Sequence, residues 1–141
     1  MPAAIGLSLG LLVGVFAKLS GFDRDRSFYP TVVIVVGAYY VLFAAMAAPA
    51  ALAAEVVGLT AFAAIAVASV RTSLWVAVVG LAGHGIFDMV HADLVANPGV
   101  PGWWPSFCAA CDVALAACLA LRLWFPHSIA PGGARDISPT A

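Results

Sequence analysis

The chain has 141 residues, of which 64% are hydrophobic and 9% charged, with a net charge of -1. A mean hydropathy of +1.06 lies outside the range of water-soluble domains, and the length leaves room for one domain. No basic field exists to hold a polyanion, which excludes nucleic acid as a partner and makes the lipid bilayer the expected one.

A helix that crosses the hydrocarbon core needs about 20 mostly apolar residues. Polar and Pro/Gly breaks cut the sequence into five such runs: 2–19, 28–48, 50–70, 73–92 and 104–125. The runs are rich in Ala, Leu and Val and lack the period-two alternation of a membrane barrel. The predicted fold class is therefore all-α, an integral membrane bundle of five transmembrane helices. The first run has the look of a signal peptide, but its only cation, Lys18, follows the apolar stretch, so it is read as a retained helix. Pro49 separates the second and third runs, because a single helix over 28–70 would be about twice the required length. Residues 1–125 make up the predicted transmembrane domain. The remaining 126–141, PHSIAPGGARDISPTA, are expected to be a disordered cytoplasmic tail.

Five spans put the first loop, the third loop and the C-terminal end on one side. Lys18, Arg24 and Arg26 lie in or beside the first loop, Arg71 in the third, and Arg122 and Arg135 at the C-terminal end, which accounts for all six Lys and Arg. The positive-inside rule then predicts an N-terminus outside and a C-terminus in the cytoplasm. Merging the helices at Pro49 would break this agreement. Trp103 and Trp104 are expected at the outer interface. The charged run Asp23–Arg26 is read as a solvated loop that fixes topology and meets anionic headgroups.

Within this apolar chain the stretch GHGIFDMVH keeps two imidazoles and a carboxylate. At 100° per residue, His84, Asp88 and His91 fall within an arc of roughly 60° on one helix face. Gly80, Gly83 and Gly85 nearby remove bulk and favour close approach of another helix. In the last run Cys108, Cys111 and Asp112 share a face at i, i+3, i+4. Glu55, near the outer end of the third run, is expected at a similar depth. Three helices thus bring ionisable groups to the outer half of the bundle, and such groups in lipid are costly and normally paired inside.

Two imidazoles and two or three carboxylates suit a divalent metal: zinc first, with iron, manganese or copper as alternatives, and Cys108 biases the set toward zinc or Cu(I). The predicted ligands are His84, Asp88, His91, Asp112 and Glu55, with Cys108 optional. A metal would offset the desolvated carboxylates and hold the imidazoles neutral. A proton relay through the same groups answers the cost equally well, as does plain hydrogen bonding between helices with His91 and Asp93 at the membrane surface. The CAAC stretch is similar to the Cys-x-x-Cys of membrane thiol oxidoreductases, although only Cys118 remains as a further cysteine. Tyr39 and Tyr40 are read as packing residues that have a hydroxyl to offer. The loop NPGVPGWWP reads as a compact cap over the outer mouth.

GHGIFDMVH, followed by NPGVPGWWPSFC and an aspartate four residues after that cysteine, resembles a group of small bacterial multi-spanning membrane proteins of unassigned function. The resemblance covers residues 83–112. It implies a multi-pass protein of the bacterial inner membrane and assigns no catalytic role.

The expectation for function is a membrane-embedded metal site, and for chemistry a metal-activated water attacking a lipid-like or membrane-permeant substrate, with Glu55 or Asp112 as general base. The alternatives are a small proton-linked carrier, which would need a homo-oligomer to enclose a path, a thiol redox protein, and an accessory subunit of a larger membrane complex.

Overall fold

The computed structural model describes residues 1–125. The expected tail, 126–141, lies outside the described residues. Five helices follow one another as α1 (Pro2–Ser20), α2 (Phe28–Ala47), α3 (Leu52–Arg71), α4 (Leu74–Leu94) and α5 (Trp104–Trp124). No strand occurs among the described residues, and all five helices are long and apolar enough to cross a membrane. Each begins and ends within two residues of its expected run.

Local chemistry explains the boundaries. Gly21 ends α1 in the left-handed conformation, φ 81°, which glycine adopts without a Cβ clash. Pro49 disfavours a helical residue before it. Ala48 accordingly sits at φ -143° and ψ 62°, closing α2, and Pro49–Ala51 form a 3-10 turn that leads into α3. Pro49 therefore separates two helices. Ser73 opens α4 by accepting the Trp75 backbone N–H at 3.3 Å.

In the packing order α1 lies on α5, α5 on α4, and α4 on both α2 and α3, which pair with each other. The α1–α5 seam is built on Gly6, Gly10, Gly14 and Ala17, all buried. A Cβ on Gly6 would collide with the Phe107 carbonyl, and one on Gly10 would lie 2.6 Å from the Cys111 carbonyl oxygen. Small residues every fourth position let two helix backbones meet, the means by which helices associate in lipid. Gly80 and Gly85 of α4 face neighbours in the same way, with a Cβ landing 2.9 Å from Ile65 and 3.2 Å from the Ala109 carbonyl. Gly83 instead faces open space.

The surface is apolar and the ionisable groups of the sequence's outer-half cluster lie inside. Ile5, Leu12, Phe16, Val57, Val79, Ile86 and Met89 are exposed, while Glu55, His84, Asp88, His91 and Asp112 are buried. An apolar exterior, with the ionisable groups enclosed within a largely apolar core, suits a lipid solvent.

One end of the bundle carries Lys18, Arg24, Arg26, Arg71 and Arg122. The run Asp23–Arg26 there does more than meet solvent. Asp23 is buried and pairs with Arg122 at 3.5 Å. Arg26 donates to the Val70 and Thr72 carbonyls at 3.2 and 3.3 Å, satisfying the free end of α3. The backbone N–H and hydroxyl of Ser27 both donate to Asp25 at 2.8 Å, holding that carboxyl below its ordinary range.

The opposite end is closed by residues 95–103. Asn97 is buried, and a Cβ on Gly99 would come within 2.5 Å of the Phe43 carbonyl, so the loop lies tightly on α2. Trp103 is exposed, as expected of an interfacial residue, whereas Trp104 turns inward against Tyr39 and Phe43, with ring centroids 4.8 and 5.0 Å away. The Pro/Gly turn chemistry that folds the loop back also carries this indole into the bundle.

Candidate metal centre

The helical spacing of α4 puts His84, Asp88 and His91 on its buried face. From α5, Cys108 and Asp112 face them, one turn apart and both buried. His84, Asp88, Cys108 and Asp112 form a quartet in which one ligand atom from each lies within 4.8 Å of all the others. His84 Nδ1 is 2.7 Å from Asp112 Oδ2 and 3.6 Å from Asp88 Oδ2. Cys108 Sγ is 3.8 Å from Asp112 Oδ2.

Three donor atoms of the quartet, His84 Nε2, Asp88 Oδ2 and Asp112 Oδ1, are buried without a hydrogen-bond partner. Native interiors satisfy nearly all such atoms, so three in one cluster mark it as a candidate site. Among the described residues the ion-pairing partner of Asp88 and Asp112 is His84 alone. A buried carboxyl group is stabilised by such a partner, by a bound cation or by keeping its proton.

The quartet contains four of the six expected ligands. His91 and Glu55 form a separate pair, with His91 Nε2 2.8 Å from Glu55 Oε1. That same oxygen accepts from Asn97 Nδ2 at 2.7 Å, so Glu55 is engaged in tying α3 to α4 and the loop rather than poised over the quartet as a base. The rotation of α3 and the 95–103 loop decide this, since depth alone made Glu55 and Asp112 equivalent. Asp93 is exposed.

Tyr40 joins the two clusters. Its hydroxyl donates to Asp88 Oδ1 at 2.6 Å, and its ring stacks on His91 with centroids 3.9 Å apart and planes 22° apart. Its backbone carbonyl accepts from Asn97 Nδ2 at 3.2 Å. Tyr40 is thus a polar member of the site, not the packing residue its apolar surroundings suggest, while Tyr39 is partly exposed and stacks with Phe43. Asn97 was masked by its place in an Asn-Pro-Gly turn, where asparagine is expected for backbone reasons alone. Phe62 and Phe87 wall the site, with Phe62 edge-on to His84 at 4.7 Å and Phe87 edge-on to His91 at 5.3 Å.

All three cysteines are free thiols. Cys108 turns toward Asp112, whereas Cys118 lies against α1 at Gly14.

The fold and the site together define an all-helical protein with five spans of membrane length and a buried His/Asp/Cys quartet that could hold a metal. Compared with protein-family models, curated proteins and solved structures, the chain matches none. The wording of residues 83–112 therefore brings no activity with it, and function has to be argued from the quartet.

Proposed function

We propose that the chain is an integral membrane protein that holds one divalent metal ion, zinc by preference, through His84, Asp88, Cys108 and Asp112. The observation that carries this reading is the convergence of four ligand atoms within 4.8 Å, all on buried residues. The imidazole binds the ion neutral and Cys108 binds it as the thiolate, losing its proton, so with both carboxylates ionised the occupied centre carries one net negative charge. Nitrogen, oxygen and sulfur donors in a set of four suit tetrahedral zinc.

Four protein ligands fill that shell, the arrangement of a structural ion rather than of one that presents a water for hydrolysis. The ion would join α4 to α5 across their polar faces. The cationic end would face the cytoplasm of a bacterial cell and the metal would lie in the outer half of the membrane.

Melting of chelator-stripped protein in detergent, with and without zinc, tests the metal. Binding to the folded state alone stabilises by about 2.7 kcal/mol at a hundredfold excess over Kd, so the wild type should melt higher with zinc and Asp112→Ala should not respond. A wild type indifferent to zinc, nickel, iron and manganese would reject the reading.

A further inference from the structure

We propose that Tyr40 selects the metal, by occupying one oxygen of Asp88 and leaving only the other free to bind. The inference rests on the metal reading of the quartet.

Asp88 Oδ1 accepts the Tyr40 hydroxyl at 2.6 Å. Oδ2 has no hydrogen-bond partner and is the atom that faces the imidazole, 3.6 Å from His84 Nδ1. A carboxylate held this way offers an ion one atom. Calcium takes six to eight oxygens and often needs two from one carboxylate, and manganese favours an octahedral shell, whereas tetrahedral zinc takes one atom from each ligand. The Tyr40–Asp88 bond therefore works against the larger shells and leaves the zinc shell intact.

The phenol is fixed in place. Its ring lies flat on His91 at 3.9 Å. His91 is held by Glu55 at 2.8 Å, and Glu55 by Asn97 at 2.7 Å, with Asn97 also bonded to the Tyr40 carbonyl. Tyr40 itself is 1% exposed, so water does not compete for Asp88 Oδ1. Glu55, His91 and Asn97, which stand apart from the quartet, are thereby positioning residues for the phenol, and Tyr40 is a positioning residue for a ligand oxygen. Groups that orient metal ligands typically change affinity by about 10- to 100-fold when removed.

Tyr40→Phe keeps the stacked ring and removes the hydroxyl. Zinc and manganese affinities measured by chelator competition in detergent should show the preference for zinc falling about tenfold in the variant. The cobalt-loaded variant should lose the intense visible bands of a four-coordinate ion as an additional oxygen joins the shell. A wild type that binds zinc, with a Tyr40→Phe variant of equal preference and unchanged cobalt bands, overturns this inference and leaves the metal site standing. A wild type that binds neither ion overturns both. If Tyr40→Phe does not fold, infrared difference spectra of the wild type on adding zinc decide the matter: a one-oxygen carboxylate pattern that vanishes in Asp88→Asn supports the role of Tyr40, and a two-oxygen pattern at Asp88 overturns it.

Discussion

His84 and Asp112 meet across the α4–α5 interface with Nδ1 2.7 Å from Oδ2 and both side chains fully buried. Because no water reaches either group, removing one leaves the other uncompensated, at a cost of about 3–5 kcal/mol for a buried pair. Asp112→Ala should therefore melt well below the wild type even without metal. Asp112→Asn, which keeps the shape and a hydrogen-bonding amide, should lose less. Equal melting of the two variants in detergent would show that His84 does not depend on this partner.

Glu55 Oε1 serves Asn97 and His91 at once. Glu55→Leu orphans both, and each unsatisfied buried group costs about 1–3 kcal/mol. The loss should be felt first in residues 95–103, since Asn97 bonds that loop to Glu55 of α3 and to the Tyr40 carbonyl of α2. Limited proteolysis there should speed up in Glu55→Leu and much less in Glu55→Gln. Unchanged cleavage would place the hold on the loop elsewhere.

The α1–α5 seam leaves no space at Gly10, where a Cβ would lie 2.6 Å from the Cys111 carbonyl oxygen and 2.7 Å from the Ala114 side chain. Gly10→Ile must push the helices apart, at a cost of about 1–3 kcal/mol or more. A cysteine pair placed across the seam should then cross-link slowly, while Gly83→Ala, at an open position, should be silent. A fully stable Gly10→Ile would mean that α1 is not seated as described.

The proposed orientation puts the cationic end in the cytoplasm by the positive-inside rule. With the native cysteines replaced by alanine, Gly102→Cys in the 95–103 loop should react with an impermeant maleimide in intact cells, and Asp25→Cys only after lysis. The reverse pattern would invert the topology.

Much of the fold was legible because its signals are one-dimensional. Apolar runs of membrane length, broken by charges or by Pro and Gly, set the five helices, and the period of α4 set His84, Asp88 and His91 on one face. What those residues meet was not legible, because helix rotation rather than depth decides it. Glu55 and Asp112 were both expected beside His84; α5 turns Asp112 to it at 2.7 Å, while α3 turns Glu55 to His91. Tyr40 lies 48 positions from its partner Asp88, a pairing no local spacing encodes. Gly6, Gly10 and Gly14, spaced four apart, mark the α1–α5 seam, a stripe that was not singled out from the sequence. Asn97 carried two roles in one residue, and the turn role hid the other.

The central claim is that the quartet holds an ion. Elemental analysis of protein purified in mild detergent, without added metal or chelator, tests it most directly. The account predicts about one zinc per chain in the wild type, and none in His84→Ala or Asp112→Ala variants that remain folded. A folded wild type as free of metal as those variants, and no more stable when zinc is supplied, would contradict it.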